Sequence, residues 1–580
     1  MANKNLFKSE RSSIVPAVDA VNEAGGVAYK MSARAALAQY VCTGCLNGTF
    51  YSTAKTQLDN VRQLLTEVEP EFLGKLAVYA HEKSFMKDLP ALLVTYLASD
   101  KGAGDAKCGG PTTPVQERKL KVLRKIFHRV ITNGKMLRNF VQMIRAAAFG
   151  RKSFGEIPRQ LIRDWFEKKS PANLFFNSIG NDPSLADIIK IIKPKPNTPE
   201  KAAVLAYLLG AETVDAEDGK MLVRKYLDKN DKQVKVAYSQ PYDNLPAIVK
   251  EYEAWKKDKS LPVPAINFRF LDNEKLSTAQ WADIASKANW LTTLKNLNAY
   301  ADHGVFGVDG MTDMIAARLS DADEIRKVKA FPYQIMMAFL ATDTEAKVPQ
   351  KVRNAIQDAM EVAVQNVPTL GKVKFFPDVS GSMKGAAITG DRGSATSKVR
   401  CIDVAALFAV SMLRNNQEAE VIPFDTQVHK PNLNPRDSIM TNATALAKFG
   451  GGGTSCSLPL KSLNDRRDWS ADVLVYISDY ESWMDSNGGK GTAMMQEWAN
   501  YKAHNRKAKL ICIDLTPRPN SQVKEHEDIL QVGGFSDNVF NVIVRFVDGG
   551  WQKDFWVKEI EETSLDAPVF EEKFDLIKEE

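Results

Sequence analysis

Cysteine and histidine are both scarce in this chain, with six of each among 580 residues. So few cysteines argue against a disulfide framework and favour a reducing compartment. The histidines show no H-E-x-x-H spacing, and the sequence contains no P-loop, no Ser/His/Asp pattern and no carboxylate cluster suited to two metal ions. We therefore expect a protein that is not an enzyme.

Long apolar runs are also missing, because no stretch of 18 apolar residues occurs anywhere in the chain. A helix needs about that length to cross the hydrocarbon core of a bilayer. The first ten residues lack the apolar segment of a secretory signal. We expect no membrane partner and a cytoplasmic location.

The charge is unevenly distributed, although hydrophobic residues at 44% and charged residues at 26% are ordinary values for a globular protein. Residues 551–580 carry ten acids and four lysines, which gives them a net charge of −6. Because the whole chain has a net charge of +6, the preceding 550 residues have a net charge of +12. A basic body with an acidic tail favours a polyanionic partner. The chain length predicts two or three domains.

The clearest chemical signature follows the apolar run Val373 to Phe376. This run predicts a buried parallel strand, and the turn after it carries Asp378, Ser380 and Ser382. Open α/β sheets bind their ligands at such strand ends. Carboxylate and hydroxyl oxygens are ligands for a hard divalent cation, Mg²⁺ in the first place, with Mn²⁺ and Ca²⁺ as alternatives.

Two later segments end in residues that fit the same site. The glycine loop 450–455 offers Thr454, and the apolar run 473–478 is followed by Asp479. With so few carboxylates, the ion would keep waters or an open position for an acidic ligand. The alternative is that the aspartates cap strands and the serines form turns. The predicted metal ligands are Asp378, Ser380, Ser382, Thr454 and Asp479.

The order Asp-x-Ser-x-Ser, threonine loop, and strand ending in Ser-Asp resembles the metal-ion-dependent adhesion site of von Willebrand A domains, over residues 370 to 548. The surrounding pattern alternates between strands and helices, which favours a doubly wound parallel sheet with helices on both faces. We predict helices over 399–414 and 438–449, and further strands over 419–425, 509–514 and 539–546.

The N-terminal two-thirds of the chain has a different pattern. Residues 31–365 are predicted to form many helices with short loops, which indicates an α-solenoid of degenerate helix pairs. Residues 1–28 lack periodicity and are predicted to form an extended arm. The charge-rich segment 211–262 is interpreted as a connection with helices over 220–227 and 245–257.

Two groups of basic residues are candidates for contacts with backbone phosphates. The predicted helix 117–133 carries one stripe of cations with no acid on the stripe, opposite an apolar face. A second group lies in residues 151–163, with Lys190 farther along. The alternatives are a solvated helix face for the stripe and local ion pairs for the second group. The residues predicted to contact phosphates are Arg118, Lys121, Lys125, Arg129, Arg151, Lys152, Arg159, Arg163 and Lys190.

Three segments of the N-terminal region resemble parts of the TROVE module: residues 36–51 its opening motif, 262–306 a later helical motif, and 326–341 the helix that leads to the A domain. A TROVE module followed directly by an A domain is the arrangement of the Ro 60 kDa autoantigen family, including its bacterial and phage relatives. The domains expected from this resemblance are an arm (1–29), the TROVE domain (30–368), the A-like domain (369–548) and an acidic tail (549–580).

The resemblance implies a ring of HEAT-like α-helical repeats, an α-solenoid toroid, closed by the α/β A domain. In that family, single-stranded 3′ ends of misfolded RNA pass through the central hole, and structured RNA, including Y RNA, lies on the basic outer surface. The implied function is RNA quality control or scaffolding with misfolded or small noncoding, Y-like RNA. An exoribonuclease is a candidate partner, and a monomer is expected. Leu185 stands where some relatives place a histidine, which counts against Y-RNA recognition. The alternative function is a metal-dependent protein-interaction module that uses the A-domain site.

Overall fold

The structure is a computed structural model. It describes residues 15–43, 53–99, 113–150, 153–217, 219–227, 234–271, 276–328, 330, 332–343, 347–365, 367–388, 399–416, 418–485, 491–516, 518–534, 538–549 and 552–566. The chain divides into two compact units. Unit 1 comprises residues up to 86 and 313–563, and unit 2 comprises residues 87–312 and those from 564 onward. Each unit combines two separate stretches of the chain, whereas the domains predicted from the sequence are each one continuous stretch.

The elements are numbered in chain order. The helices are α1 (Ala33–Thr43), α2 (Ala54–Glu67), α3 (Pro70–Glu82), α4 (Asp88–Leu97), α5 (Pro114–Val130), α6 (Gly134–Arg145), α7 (Glu156–Lys168), α8 (Pro171–Phe176), α9 (Leu185–Ile192), α10 (Pro199–Leu208), α11 (Ala247–Lys257), α12 (Thr278–Lys287), α13 (Trp290–Lys295), α14 (Leu297–Asp302), α15 (Met311–Leu319), α16 (Ala322–Val328), α17 (Pro332–Asp343), α18 (Gln350–Val364), α19 (Gly381–Gly385), α20 (Cys401–Asn415), α21 (Ile439–Leu446), α22 (Leu458–Asp465), α23 (Ala493–His504), α24 (Asn538–Gly549) and α25 (Phe555–Glu561). The strands are β1 (Ala20–Val21), β2 (Val27–Lys30), β3 (Glu212–Ala216), β4 (Gly219–Leu227), β5 (Val234–Pro241), β6 (Val373–Pro377), β7 (Glu420–Val421), β8 (Val473–Ser478), β9 (Lys509–Asp514), β10 (Asn520–Ser521) and β11 (Ile529–Gly533).

Unit 1 contains a five-stranded parallel sheet with the strand order β11-β9-β8-β6-β7. Every residue of β6, β8 and β9 is buried, as continuous apolar strands covered on both faces should be. The register aligns Pro377 with Ile477 and Ile477 with Ile513, so the carboxyl ends of the three central strands meet at one edge. The predicted doubly wound sheet is therefore present.

One predicted strand of this sheet is wrong. Residues 539–546 belong to helix α24, and the closing edge strand is β11 instead. The β-branched residues of this segment suggest a strand, but its buried side chains recur at helical spacing. Val539, Val542, Ile543 and Phe546 are all buried. The amphipathic spacing therefore decides its structure.

The N-terminal segment is also ordered differently from the predicted extended arm. Strands β1 and β2 form a hairpin that turns at Gly25, whose φ is +90°. Strand β2 then pairs antiparallel with β10, and Tyr29 lies in the hydrophobic core of the A-domain sheet. Two short strands carry too few residues for periodicity to reveal them, so the prediction was wrong for residues 15–28, whereas residues 1–14 lie outside the described residues.

Unit 2 is mostly helical, as predicted, and it also contains a three-stranded antiparallel sheet of β3, β4 and β5. The predicted helix 220–227 is wrong, because this segment is β4, whereas the predicted helix 245–257 is present as α11. Helix α5 begins three residues earlier than predicted, because Thr113 and Gln116 form a capping box. No helix in the described ranges is both long enough and apolar enough to span a bilayer.

Candidate functional site

Asp378 lies one residue beyond β6, at the edge where the strand ends meet. Its side chain is fully buried. Its Oδ1 accepts a hydrogen bond from the backbone N–H of Ser380 at 2.8 Å, and its Oδ2 accepts one from Ser478 Oγ at 2.5 Å. Because Ser478 ends β8, the second bond ties the two central strand ends together. Asp378 thus occupies the position that the sequence predicts.

Ser380 and Ser382 are both buried, and their hydroxyl oxygens lie 3.1 Å apart. The glycine loop 450–455 is hydrogen-bonded to the same turn. Gly381 N donates to Gly452 O, and Gly451 N donates to Val379 O, both at 2.8 Å. These backbone bonds bring the loop that carries the buried Thr454 against the turn that carries the two serines.

Asp479 follows β8 directly and is 2% exposed. Burial, together with the negative charge of Asp479, raises the pKa of Asp378 to about 7. The two residues follow neighbouring strands at one buried edge of the sheet, where the charge of Asp479 opposes the ionisation of Asp378. A bound cation would relieve this repulsion.

The donor set fits a hard divalent cation in its chemistry. Within the described part of the chain, no three His, Cys, Asp or Glu side chains are grouped so as to hold a metal ion. A metal at this edge would therefore depend on serine and threonine hydroxyls as well as on the two aspartates. Hydroxyl and carboxylate oxygens suit Mg²⁺, which retains several waters when a protein supplies few charged ligands.

Asp485 braces the site, and the sequence gives no signal for it. The hydroxyls of Ser455, Ser457 and Ser482 all donate to its carboxylate, those of Ser457 and Ser482 at 2.6 and 2.7 Å. These bonds join the glycine loop to the loop that follows Asp479. The contact links residues about 30 positions apart and belongs to no motif.

Asp425 braces the glycine loop from another side. Its buried carboxylate accepts hydrogen bonds from the backbone N–H groups of Gly452 and Gln427, both at 3.0 Å. His429 Nε2 lies 3.0 Å from the same carboxylate. The glycine loop is thus held by two acids that are not themselves predicted ligands, Asp425 through a backbone amide and Asp485 through a serine hydroxyl.

A buried arginine and the N-terminal hairpin support the loop after β8. The side chain of Arg518 is 2% exposed and forms ion pairs with Glu481 and Glu23. Burial raises the pKa of Glu481 to about 7, although the charge of Arg518 opposes this effect. The backbone N–H of Ala24 also donates to Glu481 at 2.7 Å. The segment that begins with Asp479 is therefore held both by a buried ion pair and by the N-terminal hairpin.

The predicted basic stripe lies on helix α5, but one expectation about it is wrong. Arg118, Lys121 and Lys125 are exposed there. An acid does lie on the stripe, because Lys125 Nζ forms an ion pair with Asp566 at 2.6 Å. Arg129 is only 5% exposed and donates to the backbone carbonyl of Ser564. Periodicity within one helix cannot reveal contacts with so distant a segment.

The second basic group is partly explained by helix α9. Arg159 Nη1 donates to Ile191 O at 3.0 Å, and Arg163 Nε donates to Ile192 O at 3.4 Å. Cations at a helix C-terminus satisfy its last carbonyl groups and favour its dipole. Lys190 is exposed and lies 3.5 Å from Asp187. Arg151 and Lys152 lie outside the described residues.

A cleft of about 540 Å³ lies beside Lys190 in unit 2. Lys193 and Arg224 line it as well, above a floor that includes Leu205 and Leu209. Among the described residues that form its wall, none is acidic. Arg224 is not recognisable from the sequence, because β4 is predicted there as a helix. The cleft therefore combines three cations with an apolar floor.

Comparison with known proteins defines the class of the A domain. Residues 376–547 match the family model for the Ro60 vWA domain. The RNA-binding protein RO60 of Deinococcus radiodurans is 24% identical over 553 residues, which cover 91% of this chain and 95% of that protein. The crystal structure of the Deinococcus radiodurans Ro (RSR) protein matches with a TM-score of 0.60 and 20% identity, over 90% of this chain and all of that one. The resemblance to the Ro 60 kDa family is confirmed, as is the combination of helical repeats with an A domain.

Proposed function

We propose that this protein binds RNA and does not catalyse a reaction on it. The observation that carries the proposal is the cleft lined by Lys190, Lys193 and Arg224, in which cations surround an apolar floor. Cations of this kind pair with phosphate, and an apolar floor accepts a sugar or an unstacked base. The similarity to a bacterial RNA-binding protein over most of the chain supports the same function.

We further propose that the helical repeats form a ring closed by the A domain, in which a single-stranded 3′ end passes through the hole and structured RNA lies outside. The substrates would be misfolded or small noncoding RNA, with a role in quality control or scaffolding, and an exoribonuclease would be a partner of the monomeric protein. Leu185 is only 1% exposed, so its side chain offers RNA no contact from this position. This burial favours general recognition of RNA over Y-RNA specificity.

Filter binding with a structured RNA that carries a single-stranded 3′ tail tests the proposal. We expect the logarithm of the affinity to fall linearly with the logarithm of the salt concentration, because phosphate contacts release counterions. Replacing Lys190, Lys193 and Arg224 together by alanine should weaken binding and reduce the salt slope by roughly 2, at about 0.7 for each single-strand phosphate that the protein no longer neutralises. Lys257→Ala, an exposed lysine at the end of α11, is the control. Binding that ignores salt, or that survives the triple substitution, would refute the proposal. The RNA should remain intact in the presence of Mg²⁺.

A second candidate function concerns the A domain. Trp483 and Met484 are 48% and 47% exposed, and their backbone N–H groups donate to Thr454 O. An acidic side chain of a partner protein could complete the coordination of a metal there while its neighbours cover these two apolar residues. Asp378→Ala and Trp483→Ala should then each abolish Mg²⁺-dependent capture of the partner and leave RNA affinity unchanged. A partner retained by both variants would exclude this function.

A further inference from the structure

The segment that follows helix α25 lies on the basic face of helix α5, within unit 2. Arg129 Nη1 donates to Ser564 O at 2.5 Å, and Lys125 Nζ lies 2.6 Å from Asp566 Oδ1. Both cations belong to the stripe that the sequence predicts as a phosphate-binding surface. One side of this surface is therefore already in contact with the chain's own C-terminal region.

The chain beyond Asp566 has the charge and length to continue along this face. Residues 567–580 contain five acids and two lysines, a net charge of −3. Lys121 and Arg118 lie one and two turns from Lys125 toward the helix N-terminus, and at the rise of an α-helix the farther of them, Arg118, is about 10 Å away. Three to four extended residues cover that distance, and Glu571 is the fifth residue after Asp566.

We propose that the acidic C-terminal region, which Ser564 and Asp566 anchor on the basic face of helix α5, acts as an intramolecular competitor that RNA must displace. The inference rests on the proposed RNA-binding function and adds a regulation to it. Asp566 presents a carboxylate to Lys125 where RNA would present a phosphate, and Ser564 O accepts a hydrogen bond from Arg129 that RNA would have to replace. A ligand with only a few accessible phosphates would gain little by displacing it, so the competitor favours RNA with extensive backbone contacts.

The expected effect on affinity is moderate, because the observed contacts are one exposed ion pair and one hydrogen bond. A tethered segment experiences an effective concentration on the order of 1 mM. If the free segment binds with a Kd of about 0.1 mM, it occupies the face about nine-tenths of the time and raises the Kd for RNA about tenfold.

The test uses the full chain with the acids of the segment neutralised, so that no truncation is needed. If the segment occupies the basic face about nine-tenths of the time, this variant should bind RNA about tenfold more tightly than the unaltered protein. The six substitutions are Asp566→Asn, Glu571→Gln, Glu572→Gln, Asp575→Asn, Glu579→Gln and Glu580→Gln. A control variant neutralises six exposed acids elsewhere and should bind RNA within about twofold of the unaltered protein, because local rather than net charge decides the contact. The control positions are Glu67, Glu217, Asp323, Asp437, Asp465 and Glu527.

A second measurement observes the contact without RNA. A fluorescent peptide of residues 564–580 is titrated with the neutralised full-length variant and followed by anisotropy. We expect binding that Lys125→Asp abolishes, that Lys257→Asp leaves intact, and that unlabelled RNA reverses. A peptide carrying lysine in place of Asp566 should bind the Lys125→Asp variant better than the original peptide does.

The outcomes separate this inference from the proposed function. If RNA binds both proteins equally and the peptide does not bind, the competitor is overturned while RNA binding stands. If neither protein binds RNA at low salt, the proposed function fails, and the competitor fails with it. If the control variant gains as much RNA affinity as the tail variant, the effect is one of net charge, and the inference is overturned.

Discussion

We predict that the buried Asp378 carboxyl makes the stability of unit 1 fall as pH rises, and that Mg²⁺ opposes this fall. The pKa of Asp378 is raised from an ordinary 3.8 to about 7 by burial and by Asp479. The metal-free folded state therefore keeps a proton that the unfolded state has already lost, and stability falls as pH rises from about 4 through about 7. This rise in the pKa corresponds to a loss of at most roughly 4 kcal/mol in the free energy of unfolding, at about 1.4 kcal/mol for each pKa unit.

Mg²⁺ should reverse this trend, because it binds the ionised carboxylate and competes with the proton. We expect the rise in Tm on adding Mg²⁺ to be larger at about pH 8 than at about pH 5.5, where protons already neutralise Asp378. Mg²⁺ present at about 100 times its Kd would stabilise the folded state by about 2.7 kcal/mol. Differential scanning calorimetry at the two pH values, with and without Mg²⁺, measures these Tm values.

Asp378→Asn removes the charge while it retains the shape of the side chain. The amide oxygen can still accept from Ser380 N, and the Ser478 hydroxyl can rotate to accept from the amide nitrogen. Without metal at about pH 8 this variant should be more stable than the unaltered protein, and it should not respond to Mg²⁺. Asp465→Asn, an exposed position, should change neither property. A metal-free Asp378→Asn protein that is less stable at about pH 8, or that Mg²⁺ still stabilises, would refute the reasoning.

Three further predictions concern the supports of this site. Gly450 has a φ of +67°, and an added Cβ would clash with Val379 O. Gly450→Ala should therefore destabilise unit 1 by about 2 to 4 kcal/mol in a urea titration. The control is Gly210→Ala, which should destabilise the protein by only about 1 kcal/mol, because Gly210 has a φ of +83° but open space around it. Asp485→Ala should weaken Mg²⁺ binding measured by calorimetry without altering RNA affinity, because three serine hydroxyls lose their common acceptor, and equal Mg²⁺ affinity would show that the loop is held without it. Arg518→Met should lower the free energy of unfolding by about 3 to 5 kcal/mol, because it leaves buried carboxyl groups without a compensating charge. This loss of stability should grow as pH rises through about 7, where Glu481 ionises. A loss of stability that does not depend on pH would contradict the prediction.

The convergence of the two candidate aspartate ligands is largely predictable from the sequence, because both follow strand ends. Parallel strands bring their carboxyl ends to one edge, so an acid after β6 and an acid after β8 become neighbours without any further information. The supports of the site are not predictable in this way. Asp425 and Asp485 act through bonds to the glycine loop from segments that carry no motif, and only the tertiary structure places them there.

The errors in secondary structure also have physical causes. The apolar residues of segment 220–227 suit a helix as well as a strand, and pairing of β4 with its two neighbours decides for the strand. The segment 539–546 shows the reverse case, since its β-branched residues favour a strand but its buried face has helical spacing. In both segments, packing partners distant in sequence outweigh local propensity.

The pairing of β2 with β10 has a consequence for synthesis of the chain. Tyr29 is aligned with Ser521, a partner that leaves the ribosome about 490 residues later. At translation rates of roughly 5 to 20 residues per second, the nascent hairpin waits on the order of a minute for its edge strand. During that interval the backbone amides of β2 that later pair with β10 are exposed to solvent and accessible to chaperones. Expression of the region from residue 369 onward by itself would instead leave β10 without its partner, because β2 would be missing.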